Sequence, residues 1–224
     1  TMGASDEVLI YSTQFFYIVG GTSVFISLMT VLGSILRATG DTRTPMKVTA
    51  VVNIGNIVLD YILIFGLGPI PALGVIGTAI GTAVSRLIGT ILLLNKVQKS
   101  SSPIDFPTLF KKSNYKFLIN LTIPATLERL VMRLGQVLYF GLIVSIGAKT
   151  FAAHSIAGNI ESFTYMPAYG LATASATLVG NSIGAKDLSK ASHYAYSAAK
   201  YGVISMSILG IILFFGSPLF ATLF

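Results

Sequence analysis

Thr49, Asn53, Asn56 and Asp60 recur at i, i+4, i+7 and i+11. At 100° per residue they fall within roughly 60° of arc, on one stripe of a helix. Their neighbours are almost all Val, Ile, Leu or Gly. A carboxylate among such residues is costly to keep charged, so Asp60 is a candidate to load and release a proton or to hold a cation. Asn56, one turn earlier, can donate to that carboxylate or help coordinate an ion. If the Asp60 helix ends near Gly66 and an antiparallel neighbour begins at Gly74, Thr78 lies at similar depth and can meet Asp60. The plainer reading of these groups is structural: Asn and Thr often bridge neighbouring helices.

Farther along, Glu128 follows Pro124 by one turn, beside Arg129 and Arg133. It either faces a cavity at depth or lies near an interface and snorkels. Glu161 shares a helix face with His154, Gly158 and Tyr165. On the opposite stripe Asn159, Met166 and Tyr169 mix soft, aromatic and small polar surface, which suits a varied apolar or cationic guest or simple helix packing. One His and one Glu seven residues apart are a weak metal signal, so no metal or organic cofactor is expected.

Charge-poor segments must position these residues. The chain has 224 residues, with 15 Lys and Arg, 8 Asp and Glu, and a net charge of +7. Charged residues make up 10%, against about 25% in soluble domains. So few charges cannot cover a water-soluble domain of this size. No charge lies between Glu7 and Arg37, Asp60 alone lies between Lys47 and Arg86, and nothing after Lys200 is charged. A crossing needs about 20 apolar residues, and irregular backbone is excluded from lipid, so the windows predict membrane helices. Divided at Gly and Pro, they predict six, over 11–39, 46–66, 74–97, 115–146, 150–183 and 187–224. The expected fold is an all-α polytopic membrane bundle, divided as 1–97, a linker over 98–114, and 115–224. In the third helix Gly77, Gly81, Ser85 and Gly89 form a small-residue ladder suited to close packing. Ser23, Ser27, Thr30 and Ser34 make a weak polar stripe on the first, suited to packing or to the wall of an aqueous cavity.

Basic residues orient the bundle. Arg37, Arg43, Lys47, then Lys96 to Lys116, then Lys186 and Lys190 occupy alternate connections, with Lys149 opposite. The positive-inside rule then places the N-terminus of this segment outside a cell membrane crossed several times. The +7 is mostly a topology signal, and no nucleic-acid partner is expected. There is no Cys, no Gly-x-Ser-x-Gly, no His-Glu-x-x-His and no phosphate-binding Gly-x-x-x-x-Gly-Lys, and an enzyme is not expected.

The ordered set of motifs resembles the multidrug and toxic compound extrusion (MATE) family of secondary transporters. Arg37-Ala38-Thr39-Gly40-Asp41-Thr42-Arg43-Thr44-Pro45-Met46 carries the strongest likeness. Asn56-x-x-x-Asp60, Gly77-Thr78-Ala79-Ile80-Gly81-Thr82, Pro124-x-x-x-Glu128 and Val179-Gly180-Asn181-Ser182-Ile183-Gly184-Ala185 follow in order. The resemblance implies twelve helices in two six-helix lobes, of which this sequence holds the fourth to the ninth. It implies an antiporter that uses H+ or Na+ to export organic, often cationic or amphipathic, compounds by alternating access. Asp60 would be the titrating carboxylate with Asn56 and Thr78 beside it. Glu128 matches a carboxylate used by some branches, and Glu161, Asn53, Asn159, Met166 and Tyr169 are further lining candidates. The family's outer helices have no counterpart here, so the chain is expected to be an internal segment that works with the remaining helices of the same transporter. A lipid-linked oligosaccharide flippase and a non-transporting scaffold are the rival readings. The first requires a basic cavity, to which Arg86, Arg129 and Arg133 could contribute; Asp60 argues against the second.

Overall fold

The structure is a computed structural model that describes residues 6–67, 69, 71–101, 103–105 and 115–222. Among these residues the chain is helical, in the order α1 (Asp6–Gly21), α2 (Ser23–Ala38), α3 (Arg43–Phe65), α4 (Val75–Gln98), α5 (Tyr115–Ile146), α6 (Ala148–Gly184) and α7 (Leu188–Thr222). Residues 102 and 106–114 of the expected linker lie outside the described set. The chain forms two compact units, Thr1–Lys111 and Lys112–Phe224.

The expected first helix is two helices. α1 and α2 meet at Thr22 with a bend of 41° between 9–21 and 23–38. Gly20 and Gly21 weaken the helix there, and the Thr22 hydroxyl donates to the Ile18 carbonyl at 2.7 Å, drawing the chain off its axis. α3, α4, α5 and α7 are each long and apolar enough to cross a membrane, and the bent pair makes a fifth such span. α6 has the length, 37 residues, but a more polar composition. Several of its small hydroxyls bond their own helix: Ser162 donates to Asn159 O at 2.6 Å and Thr173 to Tyr169 O at 2.9 Å. The buried Thr164 hydroxyl of the same helix has no hydrogen-bond partner among the described residues. α5 and α6 run unbroken through Pro124 and Pro167.

In the first unit α4 is the central element, packed on α1, α2 and α3. Gly77, Gly81, Ser85 and Gly89 are buried, so the small-residue ladder is the face that receives the neighbours. Leu32, Leu36, Val48, Val52, Leu93 and Val97 close the core toward the α2–α3 turn. Thr90 bonds Arg86 O at 2.8 Å and reaches Phe25 O of α2 at 3.1 Å, tying the two helices. In the second unit α7 packs along α6, and α5 returns against α6, where His154 sits edge-on to Tyr139 and Phe140 at 5.3 and 5.8 Å. Large apolar side chains point outward throughout, among them Leu138 at 70% and Phe214 at 79% exposure. Exposed apolar surface on this scale belongs against lipid or other helices.

Two turns repeat one design. After α2, Gly40 N–H donates to Arg37 O and Asp41 N–H to Leu36 O; after α6, Lys186 N–H donates to Ile183 O and Asp187 N–H to Ser182 O. Both are Schellman closures. Each Asp then accepts from the first turn of the next helix: Thr44 N at 2.9 Å on Asp41, Lys190 N at 3.0 Å on Asp187. Hydrogen bonds from Thr44 hold the Asp41 carboxyl below its ordinary value, and those from Lys190 do the same for Asp187. This explains the Gly-Asp-Thr-Arg-Thr-Pro motif as a helix stop and start in one segment. The left-handed residue is Gly40 (φ 92°) in one turn and Lys186 (φ 60°) in the other. A side chain in that region costs roughly 1–2 kcal/mol. Lys186→Gly is therefore expected to stabilise the second unit by about 1 kcal/mol, seen as a raised midpoint in detergent unfolding; a lowered midpoint would contradict it.

Candidate functional site

The α3 stripe is built as its spacing implies. Asn56 Nδ2 donates to Asp60 Oδ1 at 3.1 Å, one turn apart on the same helix. Both side chains are half-buried. Across from them α4 offers Gly81, and a Cβ there would run into the Asp60 carboxylate oxygen. The small residue is what lets the carboxylate lie between α3 and α4. Gly77, a turn away on α4, likewise makes room for the Leu63 carbonyl. The α3–α4 turn fixes this register through Leu73 N–H donating to Leu63 O at 2.9 Å.

Thr78 lies on α4 near the same level, but its hydroxyl donates to Val75 O of its own helix at 2.7 Å. The group facing the Asp60 carboxylate from α4 is Gly81. Depth predicted the neighbourhood and not the contact, because a threonine can satisfy itself one turn back.

Thr49, Asn53 and Asn56 line an open cavity of about 410 Å³ between α2, α3 and α4. Arg37 of α2 and Arg86 of α4 also line it, with Thr30, Thr82 and Ser85. Asn56 belongs to both features: it lines the cavity and bonds Asp60. The convergence of the two arginines is not apparent from the sequence, where Arg37 reads as belonging to a basic turn. The available signal was Arg86, a charge in the middle of an apolar helix.

In the second unit Glu128 is exposed on α5, and Glu161 and Asn159 are exposed on α6. Among the described residues no hydrogen bond joins Glu128 to Glu161. Met166 and Tyr169 are exposed at 60% and 61%, and Tyr169 stacks edge-on against Tyr165 at 5.8 Å. Arg133 bonds Gln136 at 2.8 Å on its own helix. Among the described residues no group of three His, Cys, Asp or Glu could hold a metal ion.

A carboxylate with one amide neighbour can exchange a proton, and with the amide oxygen turned toward it can supply two ligands to a cation such as Na+. The cavity beside it combines the two arginines and neutral polar groups with apolar lining from Ile26, Met29, Val52 and Leu93.

Comparisons with known proteins fit this architecture. Residues 124–224 match the MatE family model, and residues 5–146 match that of the lipid II flippase MurJ. The chain is 35% identical over 185 residues, 81% of its length, to a probable multidrug resistance protein NorM of Thermotoga maritima, covering 40% of that protein. It is 31% identical to the uncharacterized transporter YisQ of Bacillus subtilis, over 85% of this chain and 42% of the relative. Its fold matches a solved outward-facing multidrug resistance MATE family transporter of the MOP superfamily with a TM-score of 0.86 at 23% identity, covering 99% of this chain and 49% of that one. The chain thus spans about two fifths of the length of these curated relatives. The match to the Thermotoga maritima protein is longer than either compact unit, so the likeness runs across both. The MurJ match covers the first unit and α5 only. On these grounds the chain belongs to the multidrug and toxic compound extrusion family.

Proposed function

We propose that the chain forms the middle helices of a membrane transporter that exports organic, often cationic or amphipathic, compounds in exchange for H+ or Na+. It is a transporter segment and not an enzyme, working in the cell membrane together with further helices of the same protein, with the N-terminus of this segment outside. The supporting observation is Asp60, the only carboxylate in α3, bonded by Asn56 and received by the glycine face of α4. An ion reaching Asp60 changes its charge at the α3–α4 seam. The two charge states favour different packings of that seam, and substrate is coupled to the ion only if it binds those packings unequally.

The complete transporter in proteoliposomes provides the test. A pH jump and, separately, a Na+ jump should drive movement of tetraphenylphosphonium, and the jump that works names the coupling ion. Indifference to both gradients would sink the proposal. A second reading, a flippase for lipid-linked oligosaccharides, draws support from the family-model match over residues 5–146 and from the Arg37–Arg86 cavity. Competition by a lipid-linked sugar, but not by organic cations, would favour it.

A further inference from the structure

The cavity of the first unit is lined by two arginines and by no acidic residue. Arg86 sits at the middle of α4, about 16 Å along the helix from Val75. Arg37 is near the end of α2, yet its guanidinium folds back over its own helix. Nη2 donates to Ser34 Oγ at 2.9 Å, and Nη1 lies 3.3 Å from where a Cβ of Gly33 would stand. Neither arginine pairs with a carboxylate among the described residues, where the ion pair present is Lys190–Asp187. The residues lining the cavity between them are neutral, and Asp60 is not among them. A charged group within an apolar helix, as Arg86 is, is costly unless paired, and a second arginine on the same lining adds to the call for an anion. The lining adds the amides of Asn53 and Asn56 and the hydroxyl of Thr49. It also adds Ser85, 3% exposed, whose hydroxyl has no hydrogen-bond partner. Buried hydroxyls are seldom left so. Guanidinium forks, amides and a spare hydroxyl together are a donor set for an anion with several oxygens.

We propose that this cavity binds a phosphate ester, held by Arg37 and Arg86 with Ser85 and the α3 amides as further donors. The guanidinium forks engage phosphate oxygens in pairs, which an ammonium cannot do. The volume, about 410 Å³, admits one phosphate-bearing head group, and the two arginines disfavour a cation there. The same chemistry is offered by a soluble phosphate monoester or by the head group of an anionic lipid entering from the bilayer.

The complete transporter is titrated with sn-glycerol 3-phosphate in an uncharged detergent by calorimetry. In parallel it is placed in phosphatidylcholine nanodiscs containing phosphatidylglycerol, and retained lipid is counted by native mass spectrometry. Saturable binding is expected in at least one arm, weakened tenfold or more in Arg37→Gln and in Arg86→Gln, and weakened in Arg86→Lys, which keeps the charge and loses the fork. Lys149→Gln, outside the cavity, should bind as the parent does. Binding in the first arm identifies a soluble ligand; binding in the second alone identifies a lipid head group. If Arg86→Gln does not fold, Arg37→Gln and Arg86→Lys carry the comparison. No saturable binding in either arm, or binding indifferent to Arg37→Gln and Arg86→Lys, overturns the proposal. Binding is read without an ion gradient, so its failure leaves the role of Asp60 untouched.

Discussion

Asp60→Asn is expected to reduce gradient-driven efflux to the level seen without a gradient, a loss of about 5- to 150-fold if coupling here has the usual strength of site-to-site linkage. The substitution is nearly isosteric and keeps a hydrogen-bonding partner for Asn56, so the α3–α4 seam should survive it. What it removes is the ability to change charge. Coupling requires that the ion alter the balance between two states, and a side chain that binds neither H+ nor Na+ cannot do so. Substrate binding at equilibrium should persist but no longer respond to H+ or Na+, because the substrate binds the two packings unequally and the ion can no longer shift the balance between them. Asn56→Ala should have a smaller effect, since it strips one hydrogen bond and leaves the carboxylate. The measurement is the rate of tetraphenylphosphonium movement after an ion jump, beside its binding without a gradient. Driven transport at the parental rate in Asp60→Asn would remove this residue from the mechanism.

The features of this site that were legible in the sequence are those set by a single helix. Asn56 and Asp60 are one turn apart, so their contact follows from helical geometry alone. The ladder of small residues in α4 likewise announced a buried face. The Thr78 contact failed at the next level, where a hydroxyl chooses between a neighbouring helix and its own carbonyl. The bend at Thr22 was hidden because an apolar window measures length and not straightness. Gly20-Gly21-Thr22 was the available clue. The arginine cavity was hidden most completely. Arg37 and Arg86 are 49 positions apart, and only the packing of α2 and α3 on α4 brings them to one lining. The Gly40 and Lys186 turns show the converse: identical backbone closure from different residues, which no search for repeated sequence would find.

The glycines of the first unit separate packing from coupling, and three single alanine substitutions should divide accordingly. At Gly77 an added methyl would stand 2.5 Å from the Leu63 carbonyl oxygen and 2.7 Å from its carbon. Those atoms belong to the backbone of α3, so the helices themselves must separate, and overpacking of this kind costs about 1–3 kcal/mol. At Gly81 the methyl would meet the Asp60 carboxylate, a side-chain end that can swing aside. Gly81→Ala should therefore lose little stability and much coupling, with the carboxylate displaced from the Asn56 amide. At Gly55, on α3, nothing lies within 4 Å. Ala there should be neutral or stabilising by up to about 1 kcal/mol through helix propensity. The readouts are the unfolding midpoint in detergent and the gradient-driven transport rate. Gly77→Ala should lower both, Gly81→Ala mainly the rate, and Gly55→Ala neither. Were Gly81→Ala to transport normally, the position of the Asp60 carboxylate against α4 could not be what couples the ion to the helices. Were Gly77→Ala as stable as Gly55→Ala, the α3–α4 seam would be too soft to transmit a change of charge. The seam must be tight for the charge at Asp60 to matter.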